Sequence, residues 1–203
     1  LLPFGFELIE RAGHAIAAGG VIGLLLLQLC QPLLFLLQPR RQLLLLGLQQ
    51  NDMLLRQLSC SGLGHKPTPA GWDPLVHALR HDPEVAVRAE AANALVSHGL
   101  ERAWPLLMEA FEREHEWLLR CSVLSAVAEH SEVQAEPLLR LAQLAIADAD
   151  GTVRVGGTEI LGRLVREADP TSVAGEQARA ELRRLQQDAD HRVVGAALNG
   201  LQH

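Results

Sequence analysis

Cysteine, lysine and tyrosine are scarce in this chain. The three cysteines, Cys30, Cys60 and Cys121, are odd in number and their spacings match no metal motif. Lys66 is the single lysine, and there is no tyrosine. Free cysteines of this kind usually behave as small hydrophobic residues. We therefore predict buried, reduced thiols, compatible with a reducing cytoplasm, and no disulfide framework.

Positive charge is also in short supply. The chain has 18 lysines and arginines against 24 aspartates and glutamates, a formal net charge of -6. Proteins that bind nucleic acid usually carry a basic patch or stripe that contacts the phosphates. The charge balance argues against nucleic acid as the main partner.

Recognisable catalytic and cofactor motifs are lacking as well. The sequence contains no P-loop, no dinucleotide glycine fingerprint, no nucleophile elbow and no catalytic metal signature. His77 and His81 lie four residues apart and can share a helix face, but no further convincing ligand accompanies them. We predict no catalytic residue, no cofactor site and no metal site, and hence a protein that is not an enzyme.

One long segment lacks charge altogether. No Asp, Glu, Lys or Arg occurs from Ala12 to Pro39, and Ala15 to Leu37 is mostly apolar. A helix needs about 20 such residues to cross a bilayer. Arg40 and Arg41 follow directly, and the positive-inside tendency then places the rest of the chain on the cytoplasmic side. We predict a single membrane-spanning helix that contacts lipid through residues 15–37.

The same segment has a second interpretation. Gln28, Gln31 and Gln38 are costly in hydrocarbon unless each amide finds a partner, and Pro32 interrupts the run. These residues suit a buried pair of helices that packs against the rest of the protein. In that case the protein is soluble and cytoplasmic.

A block of sequence recurs along the rest of the chain at 32- to 40-residue spacing. Each copy carries an apolar residue followed by arginine, at Arg56, Arg88, Arg120 and Arg154. Six positions earlier stands an acidic or amide residue: Gln50, Asp82, Glu114 and Asp148. A degenerate fifth copy keeps Asp188 but has Val194 where the arginine is expected, with Arg192 close by. A fixed period of this size indicates a repeat array.

The apolar pattern within the copies is helical. Ala91, Ala92, Leu95 and Val96 recur at helical spacing and leave one polar face. No long alternating strand pattern occurs in the chain. We therefore predict an all-α protein with two parts, a hydrophobic segment over residues 1–39 and a repeat domain over residues 40–203.

The repeated blocks resemble the HEAT-repeat family, and more narrowly the short bacterial, phycobilisome-lyase-like form. The resemblance implies a right-handed α-solenoid of about five helical hairpins, each an A helix followed by a B helix. It also implies a side-chain ladder between neighbouring units, built from Asp82 with Arg88, Glu114 with Arg120 and Asp148 with Arg154. The copy with Val194 departs from this pattern, as a capping repeat would.

Binding residues are sought among tryptophans and acidic clusters. Trp72 and Trp104 lie 32 residues apart at the starts of successive predicted A helices, and Trp117 begins a predicted B helix. Tryptophan is enriched in binding hot spots, although a large aromatic also packs neighbouring units together. Glu112 and Glu116 belong to an acidic cluster that would suit a basic partner or simply face solvent.

Together these features predict a membrane-anchored scaffold for protein interactions, an accessory or assembly subunit of a membrane complex. The narrower resemblance implies a photosynthetic, thylakoid setting. It also implies an alternative, a soluble bilin lyase or isomerase acting on phycobiliproteins. A soluble HEAT-repeat adaptor is the third hypothesis.

Overall fold

The computed structural model describes residues 39–130, 134–169 and 172–202. The chain divides into two compact units, Leu1–Leu46 and Gly47–His203. Helix α1, Pro39–Gly47, begins in the first unit. The predicted spanning segment and Cys30 lie outside the described residues. Within those residues, no helix combines the length and the apolar character needed to cross a membrane.

The second unit is built from nine helices within the described ranges. In chain order they are α2 (Met53–His65), α3 (Pro69–His81), α4 (Val85–Ser97), α5 (Leu100–Arg113), α6 (Trp117–Ala128), α7 (Ala135–Ile146), α8 (Gly151–Glu167), α9 (Val173–Leu185) and α10 (His191–Leu201). No strand occurs in the described part of the chain. The prediction of an all-α protein is confirmed.

Successive helices pair as hairpins, and the hairpins stack. The pairs are α3 with α4, α5 with α6, α7 with α8 and α9 with α10, and α2 precedes them. We call α3, α5, α7 and α9 the A helices, and α2, α4, α6, α8 and α10 the B helices. Each B helix packs against the B helix before it and the B helix after it, which makes a continuous row. Each unit therefore buries its apolar surface against its neighbours, as repeat proteins do.

Small residues allow neighbouring B helices to approach closely at two points. A Cβ atom on Gly64 of α2 would lie 2.8 Å from the Ala94 Cα of α4. At the other end of the row, a Cβ on Gly162 of α8 would lie 3.0 Å from the Gly200 Cα of α10. Gly64 and Gly162 lie eight residues after the repeated arginines Arg56 and Arg154. Their partners, Ala94 and Gly200, each lie six residues after the corresponding position of a later copy. The backbones meet there with no room for a larger side chain.

Helix starts are set by local hydrogen bonds. Asp52, Asp150, Ser172 and Asp190 each precede a helix, and their side chains accept amide hydrogens of its first turn. Gly99 joins α4 to α5 with a φ of 119°, a left-handed conformation that favours glycine. These turns fix where each hairpin bends.

Candidate interaction surface

Four ion pairs connect each repeat to the next one along the chain. They join Arg56 to Asp82 (2.7 Å), Arg88 to Glu114 (2.6 Å), Arg120 to Asp148, and Arg154 to Asp188 (3.0 Å). We call this set the ladder. Its arginines lie in the first turn of a B helix, and its acidic residues lie just before the next B helix. The ladder side chains are largely buried, so these pairs are less screened than surface pairs.

Each complete rung also binds the backbone of its own repeat. The Nη1 group of Arg88 donates to the carbonyls of Asp82 (2.9 Å) and Pro83 (3.1 Å). Arg56 and Arg154 donate in the same way to the carbonyls of the residues five and six positions before them. One guanidinium therefore fixes the turn before its own B helix and forms an ion pair with the next repeat.

The pairing differs from the one implied by the resemblance, which matched each arginine with the acidic residue of its own repeat. Arg88 contacts the carbonyl of Asp82, while the carboxylate of Asp82 pairs with Arg56. The cause is geometric, since the carboxylate faces the preceding B helix and the carbonyl faces its own. All six expected residues lie in the ladder, which also includes Arg56 and Asp188.

The acidic residues of the ladder have a second role that the sequence interpretation missed. The Oδ1 of Asp148 accepts the amide hydrogen of Asp150 (2.8 Å), the residue immediately before α8. Asp82 and Asp188 do the same with the residue two positions on, and the carboxylate of Glu114 accepts two such amides. The signal was present in the sequence, because an aspartate in a turn before a helix commonly accepts the backbone amide hydrogen two residues on.

These contacts lower the pKa of two ladder carboxyls, Glu114 and Asp188. Burial raises the pKa of Glu114, but hydrogen bonds from Arg88 and from the amides of His115 and Glu116 outweigh it, so the pKa lies below its usual range. The side-chain hydrogen bond from Arg154 lowers the pKa of Asp188, and the same bond raises the pKa of Arg154. The carboxylates of Glu114 and Asp188 are thus held in their ionised form.

One rung is less complete than the others. Arg120 reaches Asp148 through Nη1, and its guanidinium lies 5.5 Å from the centre of the Phe111 ring. Its Nε is buried and has no hydrogen-bond partner among the described residues. Arg120 therefore forms fewer hydrogen bonds than Arg88 does.

A groove of mixed polar and apolar lining runs over the B helices, on the face that the A helices leave open. One depression of about 570 Å³ spans α2, α4 and α6, and a second of about 380 Å³ spans α6 and α8. They adjoin, because Ser125 and Glu129 line both. We call the combined surface the B-face groove. The sequence interpretation did not find it, since it requires the order in which the B helices stack.

Comparison with known families agrees with this geometry. Residues 42–128 match the family model for HEAT repeats. This part of the chain is similar to HEAT repeats. No curated protein matches the chain. The ladder continues past residue 128 through Arg154 and Asp188, so the same repeat geometry extends to α10.

The tryptophans of the HEAT repeats lie in three different environments. Trp72 is buried, with 7% of its surface exposed, and the guanidinium carbon of Arg102 lies 3.7 Å from the centre of its ring. His98 lies on another side of it, with ring centres 6.1 Å apart, and its Nε2 lies 3.2 Å from the Leu63 carbonyl. Trp72 therefore joins neighbouring repeats and is not available to a partner.

Trp104 and Trp117 are more accessible. Trp104 is half-buried and lines an outer groove of about 910 Å³ between α5 and α7, together with Met108 and Pro137. Trp117, the first residue of α6, is 49% exposed. The structure thus separates the three tryptophans that the sequence analysis grouped.

The two predicted acidic binding residues also separate. Glu112 lines the same outer groove as Trp104 and pairs with Arg140 of the next A helix at 3.1 Å. Glu116 immediately precedes α6, and its backbone amide donates to Glu114. Glu112 can face a partner beside Trp104, whereas Glu116 helps to start a helix next to Trp117.

The sequence analysis overlooked a buried arginine that caps the C-terminal end of a helix in the preceding repeat. Arg163 of α8 is only 7% exposed, and it donates to the carbonyls of Val127 and Ala128 (both 3.3 Å) and His130 (2.6 Å). These carbonyls lie at or just after the C-terminal end of α6, where a cation is favourable. Arg163 reinforces the stacking of α8 on α6.

Proposed function

We propose that this HEAT-repeat protein is a scaffold that binds another protein. The observation that carries the proposal is the B-face groove, which crosses four successive B helices without being covered by an A helix. Stacked repeats present extended surfaces of this kind, and such surfaces usually bind proteins. The ladder supports the role, because it fixes the spacing between helices that the groove depends on.

The proposal includes a membrane tether at the N-terminal end. The uncharged, apolar run over residues 15–37 has the length of a spanning helix, and Arg40 and Arg41 follow it. The repeats would then lie on the cytoplasmic side, next to a membrane protein or complex. By the narrower family resemblance, this complex belongs to a photosynthetic membrane, with the protein as an accessory or assembly subunit.

Carbonate extraction of membranes tests the tether. We expect the full-length protein to remain with the membrane pellet. A variant with two charges inside the apolar run, Leu25→Arg with Leu26→Asp, should move to the soluble fraction, because charge in the bilayer centre is costly. Recovery of the unmodified protein in the soluble fraction would contradict the tether and favour the soluble adaptor.

Partner capture tests the scaffold. The full-length protein is crosslinked in cells and its partner identified, and the purified partner is then titrated against the purified protein. We expect a saturable complex of fixed stoichiometry. Absence of a specific partner, or binding that does not saturate, would contradict the scaffold function.

A further inference from the structure

The B-face groove carries an uneven distribution of charge. Three carboxylates line it, Glu90 on α4, Glu129 directly after α6 and Glu159 on α8, so one stands at each of three successive B helices. No lysine or arginine lines either depression among the described residues. His65 and His130 are the groups there that can gain a positive charge.

These carboxylates differ from two on the A helices, each of which pairs with an arginine of a neighbouring A helix. On the A helices, Glu109 pairs with Arg80 at 2.6 Å, and Glu112 pairs with Arg140. Within the described part of the chain, the side chains of Glu90, Glu129 and Glu159 have no ion pair and no hydrogen bond. The repeat array therefore neutralises part of its outer surface by itself and leaves the groove negative.

The remaining lining suits a peptide backbone. Gly64, Ala94 and Ala126 keep the floor free of large side chains. Asn93 and Ser125, at equivalent positions on α4 and α6, are exposed in the groove and can form hydrogen bonds with an extended chain. A shallow floor with polar side groups can hold a backbone while the carboxylates bind its side chains.

We infer that the B-face groove binds an extended segment of a partner protein that carries lysine or arginine at about every third residue. The spacing follows from two general dimensions, because packed helices lie about 8 to 10 Å apart and a chain in the polyproline II conformation advances about 3.1 Å per residue, with every third side chain on the same side. The inference rests on the proposed scaffold function and specifies the chemistry of the partner. Charge complementarity between the three glutamates and the basic residues provides the specificity.

The test uses the full-length protein and a labelled peptide with arginine at every third position among alanines and serines. Binding is followed by fluorescence anisotropy at pH 8, where imidazole in water is neutral. The triple variant Glu90→Gln, Glu129→Gln, Glu159→Gln should bind at least about tenfold more weakly, and binding by the unmodified protein should weaken as salt rises. A matched variant on the A helices, Asp73→Asn, Glu101→Gln, Glu176→Gln, should keep its affinity.

Several results would overturn the assignment. They are the absence of peptide binding, equal binding by the triple variant, or equal binding of a control peptide with glutamine in place of arginine. The scaffold function fails separately: if the crosslinked partner binds the triple variant as tightly as the unmodified protein, the scaffold stands and the groove assignment falls. If the protein has no partner but the arginine peptide binds in the groove, the groove assignment stands and the scaffold function falls.

Discussion

The guanidinium of Arg88 is shared between two repeats. Its Nη2 lies 2.6 Å from Oε2 of Glu114 in the next repeat, and its Nη1 donates to the Asp82 carbonyl in its own repeat. A side chain in this position couples the turn of one hairpin to the placement of the following one. Cooperative unfolding of a repeat array depends on such interfaces between neighbours.

Removing this arginine should be costly. We expect Arg88→Met to lower the free energy of unfolding by about 2 to 4 kcal/mol, because Glu114 then stays partly buried without its cation. Adding Glu114→Gln should recover part of the loss. The measurement is urea unfolding followed by circular dichroism.

The matched control is Arg192→Met. Arg192 is 61% exposed and pairs with Asp190 two residues away, so its removal should cost much less stability than the removal of Arg88. Equal losses for the two variants would show that the ladder does not stabilise the stack more than a surface pair does.

Glycine positions offer a second comparison. Gly64→Ala places a Cβ 2.8 Å from the Ala94 Cα, so α2 and α4 must move apart, and we expect a loss of about 1 to 3 kcal/mol. Gly195→Ala in α10 meets no atom within 4 Å and should stabilise by up to about 1 kcal/mol. Thermal unfolding of both variants gives the sign of each effect, and a neutral Gly64→Ala would mean that the B helices do not meet closely.

Acid should destabilise the repeats. The pKa values of Glu114 and Asp188 are lowered in the folded protein, and hydrogen bonds from Arg192 lower the pKa of Asp190 to about 2. A lowered carboxyl pKa stabilises the fold above the pKa of the unfolded chain, and this stability disappears as the pH falls through the folded value. We expect the loss between about pH 4.5 and pH 2.

The pH experiment has an internal control. Glu114→Gln removes one of the contributing carboxyls, so the stability of this variant should change less over the same pH range. Urea midpoints measured at half-unit pH intervals would show the difference. Identical pH profiles for the two proteins would contradict a role for Glu114 in the acid response.

Substitutions of Trp72 and Trp117 should distinguish a packing role from a binding role. Trp72→Ala should lower the free energy of unfolding by about 3 to 5 kcal/mol, since the ring is buried beneath Arg102. Trp117→Ala, at a half-exposed position, should change stability by less than about 1 kcal/mol. If Trp117 contacts the partner, its loss should weaken partner binding while the melting temperature stays the same.

The sequence by itself determined the repeat, the helical class and the identity of most ladder residues. The reason is that the fixed interval between Arg56, Arg88, Arg120 and Arg154 is a property of the chain, and so is the helical spacing of Leu95 and its neighbours. It also marked residues 15–37 as a candidate membrane span, which remains a prediction because these residues lie outside the described ranges.

The tertiary structure decided which residues meet. Spacing along the chain places Arg88 close to Asp82, but the stacking of B helices brings the carboxylate of Glu114 to it instead. The same stacking buries Trp72, leaves Trp117 half-exposed and aligns Glu90, Glu129 and Glu159 along one groove. These relationships depend on contacts between residues of different repeats, which lie 26 or more positions apart in the sequence. A local sequence pattern does not specify such contacts.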